Sequence, residues 1–254
     1  PKERNRQSGA GILADWRAPL TTTLAASSLS NQIGRDVVAG TFAEDTLLPG
    51  EVEMRARYSV SRTALREAYS KLAAKGLVSA RPKVGTSVRA RTHWNMLDQD
   101  VLAWHLQTQP AEEVFVDLFE LRRMIEPSAA ELSARIRAQP DMDRIEASLD
   151  AMATSSGAQL VEADFEFHVA ILNATRNPFI SGFSGLIKAA MMTAFEISWG
   201  GAERVLFEER ISQHQDVGTA IRDRAPGQAR EAMIRLLDDS IGDVRAALRK
   251  GKMK

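Results

Sequence analysis

Apolar residues return at Leu29, Ile33 and Val37, the four-residue step of one helical face, and Gly40 ends the run; a helix is predicted from Leu24 to Ala39. Leu47-Leu48-Pro49-Gly50 reads as a turn, followed by a short helix through Val52, Met54 and Tyr58. Ser61 suits the N-cap of the next helix, which carries Leu65, Ala68, Tyr69 and Leu72 inward and ends near Lys75-Gly76. Two β-prone segments, 77–80 and 86–89, flank a turn at Arg81-Pro82-Lys83-Val84-Gly85. Beyond Pro110 the period is helical almost throughout, predicting helices at about 111–138, 141–153, 158–174, 178–197, 204–223 and 226–250. Breaks fall at Gln139-Pro140, Ser155-Ser156-Gly157, Asn177-Pro178, Gly200-Gly201 and Pro226-Gly227.

This pattern describes a mostly α chain in four parts. A flexible arm covers 1–23, and a winged helix-turn-helix of three helices plus a two-stranded wing covers 24–92. A connector containing Trp94 and Trp104 covers 93–110, and an all-helical antiparallel bundle covers 111–254. The sequence opens on Pro1 rather than Met, as expected of a fragment or a processed chain. Its 254 residues are 44% hydrophobic and 26% charged, with no cysteine, which excludes disulfides and thiolate chemistry and fits a cytoplasmic protein. No apolar run approaches the length of a membrane span.

Net charge is zero, yet it is segregated. Residues 1–92 hold 15 Lys or Arg against 8 Asp or Glu, and the remainder holds 18 against 25. A basic first third on an acidic remainder suits a nucleic-acid-binding module joined to something else. The second helix of a helix-turn-helix enters the major groove by its N-terminal residues, here Ser61, Arg62 and Thr63, with Arg66 one turn on. Arg62 and Arg66 share a face, and two guanidinium forks suit guanine O6 and N7 or phosphate. Lys83 and Gly85 mark a wing tip able to approach the sugar-phosphate backbone. Each arginine alone fits an ordinary solvated helix; helix, turn, basic helix and basic wing in order point to double-stranded operator DNA.

Leu48-Pro49, Val60-Ser61-Arg62, Leu65-Arg66-Glu67-Ala68, Leu72 with Gly76-Leu77-Val78, then Gly85 and Val88, resemble the N-terminal signature of GntR-family regulators. One position departs: Val52 stands where many members carry a DNA-contacting arginine.

In the second half, Asp164 and His168 are four apart on one predicted helix, side by side, and His214 lies two helices later. On spacing alone this is an Asp–His pair on a helix surface, or two ligands of a divalent metal. With Glu120-Leu121-Arg122 and Ile125-Glu126-Pro127, the half resembles the effector-binding and dimerising FCD bundle of the FadR-type branch. That resemblance implies a homodimer and a divalent cation (zinc, nickel or manganese) held by Asp164, His168 and His214. The fourth ligand of metal-binding members falls on Leu236, leaving three. The segment from Trp94 to Trp104, Glu162-Ala163-Asp164 and Phe195-Glu196 with Trp199 are similar to repressors of galactonate catabolism. The implied function is a repressor released from its operator by an aldonate or similar sugar acid. Arg122 is the candidate fork for its carboxylate, with Trp199 and Arg210 as further effector contacts. The same architecture answering another small organic acid is the alternative. A metal-dependent enzyme with an accessory DNA-binding module is disfavoured, since no HExxH, P-loop, GxSxG or dinucleotide fingerprint is present.

Overall fold

Ile33, Gly34, Val37 and Val38 are buried along one side of helix α1 (Leu29–Val38), the face the four-residue period marks. The computed structural model describes residues 29–198 and 204–251. The expected arm over 1–23, the start of the first helix at Leu24, and Trp199 lie outside the described residues. Those described fall into two compact units, one reaching Pro110 and one starting at Ala111.

In the first unit, α1 is followed by α2 (Glu51–Tyr58) and α3 (Arg62–Ala74). Met54, Leu65, Ala68 and Leu72 close over Ile33, each at most 3% exposed. Ser59 takes the left-handed conformation (φ 53°) that ends α2, and Val60 N–H returns to Arg55 O at 3.1 Å. The Tyr58 hydroxyl donates to Asp36, tying α2 to α1. Strands β1 (Val78–Arg81) and β2 (Gly85–Val88) pair antiparallel from Val78↔Val88 to Arg81↔Gly85, one residue from the expected bounds. Leu47 adds a bridge to Ser87, so the turn before α2 is stitched to the wing.

The stretch expected to be a connector, 93–110, belongs to this first unit. Its helix α4 (Gln99–Thr108) is capped by Asp98, whose carboxylate accepts from the N–H groups of Asp100 and Val101. The fully buried Trp104 ring lies on α1 at Gly34, where a Cβ would stand 2.4 Å from it. Gln109 Nε2 donates to Val38 O at 2.7 Å, and Lys75 Nζ lies 2.8 Å from both Asp98 and Asp100. Packing of a tryptophan into a glycine notch is invisible to periodicity.

The second unit is helical: α5 (Ala111–Ile136), α6 (Gln139–Thr154), α7 (Ala158–Ala174), α8 (Pro178–Ser181), α9 (Ser184–Ser198), α10 (Arg204–Arg222) and α11 (Pro226–Gly251). Helix α6 begins before its expected start because the Asp141 carboxylate accepts from Ala138 N–H at 2.8 Å. The single helix expected over 178–197 is two, broken at Gly182-Phe183. There Phe183 N–H bonds to Ile180 O while Phe183 O receives Leu186 and Ile187. The buried seam of α5 runs Val114, Phe115, Leu118, Phe119, Arg122, Glu126, Ala129, Ala130, Ser133 and Ala134. Two charged residues and Ser133 thus interrupt a stripe that is otherwise apolar.

At the far end of α5 two arginines exchange partners. Arg137 donates to the carbonyls of Ile221 and Arg222 that end α10, and Arg224 donates to those of Arg135 and Arg137 that end α5. No described helix is long and apolar enough to cross a membrane.

Candidate functional site

Two sets of residues carry chemistry, one in each unit. In the first, Ser61 caps α3 by accepting from Ala64 N–H at 3.2 Å, which aims the free N–H groups of the first turn outward. Ser61, Arg62, Thr63 and Arg66 are all exposed, while Leu65, Ala68 and Leu72 face the core. The amphipathic spacing read from the sequence therefore leaves the polar four on the open face. Arg62 is met by a residue that sequence reasoning passed over: Glu51 Oε1 lies 3.0 Å from its Nε. Lys83 sits in the β1–β2 turn and Gly85 opens β2, both exposed and both at positive φ (61° and 127°). Gly85 has room for a side chain, so conformation rather than space calls for glycine. Val52 is 81% exposed on α2.

In the second unit, Asp164, His168 and His214 come together, one donor atom from each lying within 4.8 Å of the others. Asp164 Oδ1 is 2.9 Å from His214 Nε2 and 3.3 Å from His168 Nε2. His214 Nδ1 lies 2.7 Å from Arg210 O; a carbonyl only accepts, so this nitrogen carries the proton. His168 Nδ1 lies 2.5 Å from Glu126 Oε2, which likewise demands a proton there. Each imidazole, when neutral, then turns a bare Nε2 toward Asp164, itself an acceptor. His168 Nε2 already accepts from the Arg122 guanidinium at 3.2 Å, so it is the 2.9 Å approach of His214 Nε2 to Asp164 Oδ1 that calls for a cation or an extra proton. Nδ1 held by a carbonyl or carboxylate, with Nε2 presented, is how metal-binding histidines are commonly oriented. The three donors thus fit a divalent ion.

Burial pushes the Asp164 carboxyl up, but the neighbouring histidines outweigh it and hold it far below the usual carboxylate range. Burial likewise opposes the charge on Glu126, yet Arg122 and His168 lower it to about 2. Burial pushes His168 down; the carboxylates of Glu126 and Asp164 prevail and raise it.

Arg122 is in this cluster but does not present an open fork. Its Nε lies 2.5 Å from Glu126 Oε1 and its Nη2 lies 3.2 Å from His168 Nε2, with the side chain 4% exposed. The guanidinium of Arg210 turns instead to Asp243 and to Leu236 O on α11; what it gives the cluster is its carbonyl. Leu236 is buried and offers no donor. Glu126 was missed as a site residue, although its spacing of four from Arg122, along a mostly apolar seam, was a signal.

Residues 25–88 match the family described as bacterial regulatory proteins, gntR family, and residues 117–239 match the FCD domain. YieP of Escherichia coli K12, described as an uncharacterized HTH-type transcriptional regulator, is 31% identical over 171 residues, covering 66% of this chain and 74% of its own. The chain belongs to the GntR family. This GntR-family regulator is also similar to the galactonate operon transcriptional repressor of E. coli K12, 29% identical over 210 residues, 82% of this chain and 91% of that one. Among solved structures, that of Lar from Listeria monocytogenes superposes with a TM-score of 0.55 at 14% identity, covering 97% of this chain and 99% of that one; it shares the fold. The GntR-family regulator is thus a transcription regulator with an N-terminal DNA-binding helix-turn-helix and a C-terminal FCD domain.

Proposed function

We propose that this GntR-family regulator is a homodimeric, cytoplasmic repressor of sugar-acid catabolism that leaves its operator when an aldonate such as galactonate binds its FCD domain. The observation that carries the effector site is the convergence of two oriented histidines on Asp164, with buried Arg122 and Glu126 behind them. Counting both imidazoles as neutral, Arg122, Glu126 and Asp164 leave the cluster one negative charge. A divalent cation reverses that to one positive, and one carboxylate on the effector restores neutrality, which a buried site favours. Asp164, His168 and His214 would hold the ion, whose part is to attract the carboxylate and 2-hydroxyl of the sugar acid. Glu126 and the Arg210 carbonyl keep the imidazoles in the required tautomer. The likeness to the galactonate operon repressor over 82% of the chain supports an aldonate rather than a bulkier or apolar effector.

On the DNA side, Arg62 and Arg66 read base edges, Ser61 and Thr63 hold phosphate, and Lys83 and Gly85 bring the wing to the backbone. Two copies related by a two-fold axis meet two half-sites one helical turn apart. The effector acts by binding the released arrangement more tightly than the DNA-bound one.

A thermal-shift series tests the effector half. Galactonate at about a hundred times its Kd, with zinc, nickel or manganese present, stabilises by about 2.7 kcal/mol, a rise of roughly 5–10 °C for a chain of this size. Chelation, or His214→Ala, removes the rise. A rise that survives chelation overturns the metal; stabilisation only by compounds without a carboxylate overturns the sugar acid.

A further inference from the structure

We infer that Glu51 is a specificity-determining residue: it positions the Arg62 guanidinium for base reading without supplying a favourable DNA contact of its own. This rests on the assignment of Arg62 to base reading made above. Glu51 is the first residue of α2 and Arg62 the first of α3, so the two N-termini present their side chains to each other across the turn of the motif. The carboxylate meets Arg62 from the Nε side at 3.0 Å. The two Nη groups, whose spacing matches guanine O6 and N7, lie at the other end of the guanidinium.

Both partners remain largely in water, with side chains 67% and 41% exposed, so the pair adds little to folding stability. Its value is conformational. Arg62 has a long side chain with many rotamers, and its backbone is fixed by the Ser61 cap. A carboxylate on the Nε side confines the remaining freedom before DNA arrives. The same carboxylate faces a polyanion, which on charge alone weakens binding to every sequence alike. Positioning and repulsion therefore predict opposite outcomes when Glu51 is removed.

The test uses the full chain and an operator obtained from a randomised duplex pool selected on the wild type. Affinities for that operator and for a scrambled duplex are measured for wild type, Glu51→Ala, Glu51→Gln, Arg62→Ala and the double variant Glu51→Ala/Arg62→Ala. Glu51→Ala is expected to lower the operator-to-scrambled ratio roughly two- to tenfold, as loss of one pre-ordered side chain implies, while the scrambled duplex binds unchanged or tighter. Glu51→Gln, whose amide oxygen can occupy the same place beside Nε, keeps most of the ratio. The double variant discriminates no worse than Arg62→Ala, because the two act through one guanidinium.

The inference is overturned if Glu51→Ala tightens both duplexes equally, as a plain surface carboxylate would. Loss of both affinities together marks a structural role and also overturns it, as does an effect that adds to that of Arg62→Ala. An unchanged ratio in Arg62→Ala itself sinks the base-reading assignment instead. That result is distinct from Arg62→Ala losing discrimination while Glu51→Ala keeps it.

Discussion

Removal of Arg122 gives the most demanding test of the C-terminal cluster. Arg122 and Glu126 are 4% and 1% exposed, four residues apart on α5, and Glu126 also faces His168 Nδ1. In Arg122→Met the apolar stem of the side chain is largely kept while the guanidinium is lost, so Glu126 stays buried with a single partner. Breaking a buried pair in this way costs about 3–5 kcal/mol, against about 0–1 kcal/mol for a pair at the surface. Set against a total stability of roughly 5–15 kcal/mol, that is a large share, and it lowers Tm by roughly 6–20 °C. Urea denaturation followed by far-ultraviolet circular dichroism measures it. Glu126→Gln keeps an acceptor for His168 and removes the stranded charge, so Arg122→Met/Glu126→Gln should lose clearly less than the two single variants together. A loss below about 1 kcal/mol in Arg122→Met, or strict additivity in the double variant, would refute the picture of an interdependent buried network.

Two further predictions concern the DNA-binding unit. Gly34→Ala gains about 1 kcal/mol of helix propensity, but its Cβ would lie 2.4–2.7 Å from three ring atoms of Trp104, so overpacking prevails. A net loss of about 1–2 kcal/mol in urea unfolding is expected, and a variant as stable as wild type would contradict the contact. The chain has two tyrosines, and both are raised: Tyr69 to about 12 by burial and then by Glu51, and Tyr58 further, by burial and then by its bond to Asp36. Groups raised on folding contribute stability that is full below the unfolded pKa near 10 and lost as pH climbs above it. Tyrosinate absorbance should therefore stay flat through pH 10 and appear nearer pH 12 or with unfolding; a titration centred on 10 in the folded chain refutes both environments.

The helices of the DNA-reading half were legible because cap, apolar spacing and stop residue coincide at Ser61, Leu65, Leu72 and Gly76. Local signals agreed with tertiary packing there, so the predicted and observed bounds nearly coincide. The packing of the segment from Trp94 to Trp104 was not legible, because its partner, a notch at Gly34, is distant in the chain. The Asp164–His168 pairing followed from helical spacing. The arrival of His214, by contrast, needed the packing of α7 against the other helices, which no local pattern encodes. Arg122 was found but its state was not: a single charged residue reads as a free fork until its neighbour Glu126 is seen to fill it. Glu51 was hidden because an acid in the first turn of a helix has an ordinary explanation in the helix dipole.

The exchange of arginines between α5 and α10 constrains how these two helices can respond to a ligand. Their C-terminal ends lie together, so two negative macrodipole poles meet, and Arg137 and Arg224 each neutralise the pole of the helix to which they do not belong. Neither helix end is complete alone. Sliding one helix along the other would break four hydrogen bonds at once, so the pair is fixed axially at this end. Arg122 lies about 20 Å back along α5 and His214 about 10 Å back along α10, at the helical rise. A change of distance between those side chains is then accommodated by tilt about a common fixed point, and the displacement grows with distance from it.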